Sequence, residues 1–461
     1  MLQKLWIYHT NDLHSHFENW PKIAAYIKEK RQIHDQMLLF DIGDHMDRVN
    51  LVSEADYGQV NVKLLNQLGY DGVTIGNNEG ITLPHDQLDQ LYEHAQFPVI
   101  LSNLFEKGKR PSWAKPYHMI QMENGLKICL LGVTIAYTPV YEKLGWEITD
   151  PFDSIRDMLK EVKGQADVIV LLSHLGIIHD REVARDFPDI DMILGSHTHH
   201  LLEQGEMDNG VLLACAEKYG HYIGCVELTI DTASKELTEK KATVQSVDQL
   251  ISESDEAITT LQQAERRAKA LMQEKVTEIE SRLETKWFDA SPLPQLLTDA
   301  IKDWCGADIG MMNAGMVLDS LEAGIVTREE VHRICPHPIN PIRVTLTGQQ
   351  LIETVRRACE EKMEQLRIKG FGFRGELMGK MLFSGLTYTV EEGETKRVKD
   401  VFVHDQLIKK DALYTVGTVD MYTLGSLFPH IRDQEQIEYF MPEFLRDVLT
   451  WRLKEATCNP L

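Results

Sequence analysis

The chain has few of the features that would place it in a disulfide-rich, zinc-ribbon or membrane class. Its 461 residues include only seven cysteines, and no two of them form a Cys-x-x-Cys pair. An odd count without such pairs excludes a disulfide framework and a zinc ribbon. No apolar run reaches the ~20 residues that cross a bilayer, and the apolar start of the chain is too short for a signal peptide. We therefore expect reduced thiols, a cytoplasmic location and no membrane partner.

Positive charge is also scarce. The sequence contains 48 Lys and Arg against 71 Asp and Glu, a net charge of −23. Such a charge repels DNA and RNA, so we expect no nucleic-acid partner, although a local metal-charged cleft can still bind a small phosphate. The hydrophobic share of 43% is that of an ordinary globular protein. The length predicts two or three domains.

The order of apolar and polar segments predicts two α/β units joined by a helical connector. Short apolar runs alternate with helix-like segments through the first 230 residues, which is typical of an α/β domain. Residues 253–284 lack Gly and Pro and are rich in helix formers, which predicts one or two long helices; an ordinary surface helix is the alternative. A second unit begins near Pro292. The predicted divisions are 1–250, 251–286 and 287–461.

Side chains of types that can bind metal ions follow five of the predicted strands. They are Asp12 and His14, then Asp44, then Asn77, then His174, and finally His197 and His199. The carboxyl ends of strands form the ligand crevice of α/β sheets, so we expect these groups to converge. Imidazole and carboxylate ligands suit Mn, Zn, Co or Fe. Two such ions about 3.5–4 Å apart need a bridging carboxylate, for which Asp44 is the natural candidate.

These residues lie in motifs that resemble those of the bacterial 5′-nucleotidase family. The motifs are His9–His16, Gly43-Asp44, Gly76-Asn77, Ser173–Gly176 and Gly195–His199, with weaker matches at 313–315, 323–327, 346–348, 384–388 and 414–416. The resemblance implies a four-layer α/β/β/α metallophosphoesterase sandwich, a linker helix and a smaller α/β substrate-binding domain. It also implies two sets of metal ligands: Asp12, His14, Asp44 and His199 for one ion, and Asp44, Asn77, His174 and His197 for the other.

The implied reaction is hydrolysis of a phosphate ester, most simply a nucleotide 5′-phosphate or a related small phosphate, by a water that two divalent ions activate. Asn78 and Asp44 are the expected catalytic residues. Relatives commonly carry His where Asn78 stands. Because Asn can donate a hydrogen bond but cannot act as an acid, we expect slower hydrolysis, better leaving groups or another proton donor.

Substrate contacts are expected from Asn313, Gly315, His337, Arg343 and Met421. His337 and Met421 stand where the family places two aromatic rings around a base, and Arg343 is a candidate ligand for an acid unless it is a solvated surface charge. Two alternatives stay open at this point. One is a phosphodiesterase or pyrophosphatase acting on cyclic nucleotides, nucleotide sugars or dinucleotides, and the other is a non-catalytic ligand-binding member of the family. The sequence does not predict an oligomeric state.

Overall fold

The computed structural model describes residues 2–370, 372–391 and 397–458. The chain divides into two compact units, Met1–Ala268 and Lys269–Leu461. Among the described residues, none of the helices combines the length and the apolar character needed to span a bilayer.

The first unit contains fifteen described strands and nine described α-helices, the last of which ends beyond Ala268. The strands are β1 Leu2–Thr10, β2 Met37–Asp41, β3 Gly72–Val73, β4 Val99–Ile100, β5 Leu104–Phe105, β6 Ala114–Lys115, β7 Tyr117–Gln121, β8 Lys127–Thr134, β9 Glu147–Ile148, β10 Val168–His174, β11 Met192–Gly195, β12 Glu206–Asp208, β13 Val211–Ala214, β14 Tyr222–Asp231 and β15 Leu237–Ser246. The helices are α1 Trp20–Ile33, α2 Leu51–Asp56, α3 Gln59–Leu68, α4 Asn77–Thr82, α5 His85–Leu91, α6 Thr138–Lys143, α7 Pro151–Val162, α8 Ile177–Asp186 and α9 Asp255–Met272.

Two sheets pack face to face in this unit. One has the order β15-β14-β1-β2-β3-β4-β6 and the other β12-β13-β11-β10-β8-β7. Alternate residues of the inner strands face opposite sides, as the two-residue strand period requires. In β10, Val170 belongs to the core between the sheets, whereas Leu171 packs in a second core with Ile155 of α7 and Val183 of α8.

Helices cover the outer faces of both sheets. On the far side of the first sheet, the rings of Tyr8 in β1 and Tyr26 in α1 lie 6.1 Å apart, and Ile23 and Ile27 of α1 are buried. Burial of these apolar side chains is the main force that holds helix to sheet. The layer order is therefore helix, sheet, sheet, helix, which confirms the predicted fold class.

The connector differs from the prediction. Helix α9 covers residues 255–272 only, and β16 (Lys275–Ile279) follows, paired antiparallel with β18 (Gly324–Thr327). Three of the five residues from Lys275 are β-branched, and Val276 and Thr277 are buried, a composition that suits a strand. The helix predicted as far as residue 284 was therefore wrong beyond Met272.

The second unit is a smaller α/β domain. Its remaining strands are β17 Ile309–Asn313, β19 Pro341–Thr347, β20 Met381–Ser384, β21 Leu386–Glu391, β22 Arg397–Val403, β23 Gln406–Leu407, β24 Leu413–Val419 and β25 Glu438–Tyr439. Its helices are α10 Pro292–Trp304, α11 Arg328–Ile334, α12 Gly348–Ala358, α13 Glu361–Glu364, α14 Pro429–Arg432 and α15 Leu445–Cys458. The main sheet has the order β20-β17-β24-β19-β25. Thr327 and Thr347 begin α11 and α12 with capping boxes, in which each Thr side chain accepts a backbone N–H of the first turn.

Candidate metal centre

The predicted ligands meet where the strands of both sheets end. In the first sheet, the parallel register pairs Thr10 with Asp41 and Asp41 with Val73, so that β1, β2 and β3 end at one level. In the second sheet, Ser173 of β10 pairs with Gly195 of β11. The turns after these strands therefore lie at the carboxyl edges of the two sheets, where ligand sites of α/β folds are found.

The backbone of these turns adopts an uncommon conformation at the ligands themselves. The φ angles are 49° at Asp12, 50° at His14, 49° at Asp44, 75° at His197 and 55° at His199. Non-glycine residues avoid this left-handed region, at a cost of order 1–3 kcal/mol each. Such strain persists where the surroundings hold it, and it gathers at functional sites.

The ligands form two groups. Asp12, His14 and His199 make the first, and Asp44, His174 and His197 make the second; within each group the ligand atoms lie within 4.8 Å of one another. In the first group, Nε2 of His14 lies 3.2 Å from Nε2 of His199. The same His199 nitrogen lies 3.6 Å from Oδ1 of Asp12.

Asp44 faces both groups. Its Oδ2 atom lies 3.4 Å from Nε2 of His174 in the second group and 3.7 Å from Nε2 of His14 in the first. This is the position that a bridging carboxylate needs. Asn77 joins the second group, because its Oδ1 atom lies 2.8 Å from Nδ1 of His197. The structure thus brings together all seven side chains that the sequence nominated.

His174 shows that these donors fit a metal ion. Its ring is fully buried, and its Nδ1 atom donates a hydrogen bond to the carbonyl of Ile42 at 2.7 Å. Its Nε2 atom has no hydrogen-bond partner among the described residues. Metal-binding imidazoles commonly tie one nitrogen to a carbonyl in this way and offer the other to the ion. An unpartnered buried nitrogen beside a carboxylate is therefore what a divalent transition ion requires.

Electrostatics within the centre couple Asp44 to its imidazole neighbours. Burial by itself would lower the pKa of His174, but the charge of Asp44 outweighs it and raises that pKa to about 10. Burial would raise the pKa of Asp44, but the His174 and His14 imidazoles hold it well below its usual range. By contrast, burial and the neighbouring His174 lower the pKa of His197 to about 4. Asp44 is therefore an anion and His197 a neutral imidazole at neutral pH.

Glu79 holds two turns of the metal centre together by hydrogen bonds to their backbones. This residue was not identified from the sequence. Its carboxylate accepts hydrogen bonds from the backbone N–H groups of Asp44 at 3.0 Å, Met46 at 2.8 Å and Gly76 at 2.8 Å. It thereby ties the turn after β2 to the start of α4. A Glu three residues after Gly76 is a capping pattern, which was the available signal.

Gly76 has to be a glycine. An added Cβ there would lie 2.0 Å from Oδ1 of Asp44 and 2.5 Å from Cε1 of His174. Such distances are far below van der Waals contact, so any side chain would displace both ligands.

Comparison with known proteins identifies the fold and its chemistry. Residues 5–201 match the model of the calcineurin-like phosphoesterases, and residues 269–428 match that of the 5′-nucleotidase C-terminal domain. The chain is 56% identical to the uncharacterized metallophosphoesterase YunD of Bacillus subtilis (strain 168), over 99% of this chain and 100% of the relative. The chain belongs to the calcineurin-like metallophosphoesterases. The predicted family is thereby confirmed, and the protein is a metal-dependent phosphoesterase.

Two more distant proteins match the chain across both of its units. The 5′-nucleotidase of Vibrio cholerae serotype O1 is 23% identical over 93% of this chain and 86% of its own length. The solved structure of the NAD nucleotidase of Haemophilus influenzae superposes with a TM-score of 0.69 at 17% identity, covering 98% of this chain and 96% of the other. The metallophosphoesterase therefore carries the C-terminal domain of the nucleotidases.

Asn78 contacts ligands of this metallophosphoesterase centre. Its backbone N–H donates to Oδ1 of Asp44 at 2.7 Å, and its side-chain amide donates to Oδ2 of the same carboxylate at 3.0 Å. The amide nitrogen also lies 2.8 Å from Nδ1 of His14. The structure thus places the two nominated catalytic residues in contact, and their catalytic roles stay a prediction.

The polar candidates of the substrate domain make contacts inside the second unit. Asn313 is fully buried; its Oδ1 atom accepts from the hydroxyl of Tyr422 at 2.7 Å, and its amide donates to the carbonyl of Met378 at 2.7 Å. His337 is also fully buried and donates from Nε2 to the carbonyl of Met316 at 3.0 Å. Burial lowers the pKa of His337 to about 3, so its ring is neutral.

The other three candidates also lie within this unit. Met421 is fully buried, and a Cβ added at Gly315 would lie 2.0 Å from the carbonyl oxygen of Leu377. Arg343 donates from Nε to Glu438 at 3.0 Å. The structure explains all five by packing or by hydrogen bonds within the unit, and their contact with a substrate stays a prediction.

Proposed function

We propose that this enzyme hydrolyses a nucleotide 5′-phosphate or a related small phosphate ester at a two-metal centre. The observation that carries the proposal is the carboxylate of Asp44, which lies 3.4 Å from Nε2 of His174 and 3.7 Å from Nε2 of His14 and so faces both ligand groups. Two bound divalent ions would neutralise the phosphoryl oxygens and lower the pKa of a water for in-line attack. The imidazole and carboxylate donors suit Mn, Zn, Co or Fe.

The chain prepares both ligand sets for such ions. Asp12, His14, Asp44 and His199 would hold one, and Asp44, Asn77, His174 and His197 the other. Metal ligands have to be deprotonated. The lowered pKa values of His197 and His199 satisfy this at neutral pH, and burial is the first cause in both cases. At His14 and His174 the neighbouring carboxylates outweigh burial and raise the pKa, so a bound ion would have to displace a proton from each ring. Asp12 is held in place by hydrogen bonds from the Asn11 amide at 2.8 Å and the Ser196 hydroxyl at 2.7 Å.

Support for a nucleotide comes from the second unit. Residues 269–428 match the domain that accompanies the catalytic domain in 5′-nucleotidases, and the Vibrio cholerae relative is itself named a 5′-nucleotidase. The phosphate ester would be small, because the chain's net charge of −23 disfavours a polyanionic partner.

Asn78 favours a second candidate function. Its amide donates to Asp44 and cannot protonate a leaving oxygen. A pyrophosphate bond expels a phosphate, which needs less protonation than an alkoxide does. The same centre would then act as a phosphodiesterase or pyrophosphatase on cyclic nucleotides, nucleotide sugars or dinucleotides.

A substrate panel tests both candidates. The purified chain is stripped of metal and reloaded separately with Mn²⁺, Co²⁺ or Zn²⁺, and its rates are measured on p-nitrophenyl phosphate, bis-p-nitrophenyl phosphate, nucleoside monophosphates and NAD. Faster turnover of the monoesters supports the first candidate, and faster turnover of the diester or of NAD supports the second. Absence of turnover on every compound, with metal bound, would overturn the proposed function.

A further inference from the structure

A tyrosine outside every family motif borders the metal centre. Strand β8 lies beside β10, and the register pairs Thr134 with His174, so the residues after Thr134 emerge at the same sheet edge as the ligands. The turn there leads to Tyr137, the residue before α6. The hydroxyl oxygen of Tyr137 lies 3.2 Å from Nε2 of His197.

This turn is held from two sides. The side-chain amide of Asn103 donates to the carbonyl of Thr134 at 2.8 Å and accepts from its N–H at 3.1 Å. Helix α6 packs on α4, because a Cβ added at Gly80 would lie 2.1 Å from the hydroxyl oxygen of Tyr141. Helix α4 begins at Asn77, so the placement of Tyr137 is tied to the ligands themselves.

A bound metal ion would free the proton of Tyr137. Nδ1 of His197 lies 2.8 Å from Oδ1 of Asn77, an oxygen that can only accept, so without an ion Nδ1 carries the proton and Nε2 accepts from the Tyr137 hydroxyl. An ion held by Asn77 and by Nδ1 of His197 would move that proton to Nε2, which would then donate to the oxygen of Tyr137. The phenol would then keep its own O–H for another acceptor. Tyr137 is 37% exposed, so a substrate can reach it.

We propose that the hydroxyl of Tyr137 is a catalytic group that donates a hydrogen bond to a phosphoryl oxygen of the substrate. The inference rests on the proposed function. In that reaction, the Tyr137 hydroxyl is a hydrogen-bond donor at the metal centre. The need for one follows from Asn78, whose amide is directed at Asp44 and cannot carry a positive charge to the phosphoryl group. A donor aimed at the charge that develops on those oxygens stabilises the transition state.

The test compares Tyr137→Phe with Tyr117→Phe, the same change at a partly exposed ring in β7. We expect Tyr137→Phe to lower kcat/KM by about 10²- to 10³-fold, the scale at which the loss of one such donor acts. We also expect it to weaken binding of inorganic phosphate to the Co²⁺-loaded protein, measured by calorimetry, by about tenfold. The metal content stays that of the wild type, and Tyr117→Phe changes neither quantity.

Three results separate the possible explanations. Unchanged phosphate affinity and unchanged kcat/KM in Tyr137→Phe would overturn the inference. A rate loss that elemental analysis traces entirely to lost metal would also overturn it, because Tyr137 would then only support His197. A wild-type chain without turnover would overturn the proposed function, whereas the phosphate titration would still test the contact to Tyr137.

Discussion

The buried Nε2 atom of His174 lies 3.4 Å from Oδ2 of Asp44, and the same carboxylate oxygen lies within 3.7 Å of His14. One carboxylate therefore serves imidazoles from both sheets, since His14 follows β1 and His174 ends β10. The arrangement makes Asp44 the single side chain whose loss should affect both ligand groups at once.

Replacing Asp44 by Asn should abolish most of the activity. An amide presents only one oxygen and no charge, so it cannot bridge two cations. We expect turnover to fall on the order of 10³-fold or more, since the metal centre contributes several kcal/mol of transition-state stabilisation. The measurements are the rate on the best substrate and the metal content per chain. Asp189→Asn, at an exposed carboxylate, is the matched control. Wild-type turnover with two ions bound to Asp44→Asn would contradict a bridging role.

Replacing Glu79 by Gln should weaken the metal centre while leaving every ligand side chain in place. Oε2 of Glu79 accepts from both Asp44 N and Gly76 N, and Oε1 accepts from Met46 N. Gln has a single acceptor oxygen, so at least one buried N–H loses its partner, at a cost of about 1–3 kcal/mol. Metal affinity should fall by about 10- to 100-fold, as for other outer contacts of metal sites.

Urea denaturation and metal titration of Glu79→Gln at pH 8 measure these two quantities. Glu93→Gln, at an exposed glutamate, provides the comparison. Wild-type stability and wild-type metal affinity in Glu79→Gln would show that the Glu79 carboxylate does not hold the turn after β2 to the start of α4.

The ligands could be predicted because each lies at a strand end in an order that local patterns show. Asp12 and His14 follow an apolar run after a short polar stretch, and His174 closes another run. That such ends meet is a general property of α/β sheets. The left-handed backbone at Asp12 and Asp44 was not predictable, because the turns that contain these residues hydrogen-bond to each other.

Features that depend on distant pairing escaped the sequence. The segment from Lys275 was predicted to be helical from its composition, and its pairing with β18 makes it a strand. Tyr137 drew no attention because its place beside His197 follows from the register between β8 and β10. The internal hydrogen bonds of Asn313 with Tyr422 are likewise a tertiary property that no local pattern shows.

Asp180 should make stability depend on pH. It is fully buried on α8; its Oδ1 atom accepts from the hydroxyl of Ser173 at 2.5 Å, and Oδ2 has no partner among the described residues. Burial raises its pKa to about 7 from the ordinary 3.8. The folded chain therefore binds this proton more tightly than the unfolded chain does. The resulting stabilisation is fully present below pH 3.8 and is lost as the pH rises through about 7.

Asp180→Asn keeps the neutral form at every pH. At pH 8 we expect it to increase the free energy of unfolding by on the order of 1–3 kcal/mol relative to the wild type. The difference should shrink as the pH approaches 4, which denaturant titrations between pH 4 and pH 8 would show. Asp189→Asn should show no such trend. A constant difference between Asp180→Asn and the wild type across this range would rule out a protonated buried carboxyl at this position.

Asn78→His should accelerate the hydrolysis of esters with poor leaving groups. Asn78 is buried against Asp44 and His14, where an imidazole would be able to protonate the departing oxygen. General acid catalysis contributes roughly 10²–10⁴-fold, so a partly aligned imidazole should raise kcat on a nucleoside monophosphate by about 10- to 100-fold. p-Nitrophenyl phosphate, whose leaving group needs no proton, should gain little. Asn78→Gln, which adds length without an acid, is the control. An equal gain on both substrates, or the same gain from Gln, would show that leaving-group protonation does not limit this enzyme.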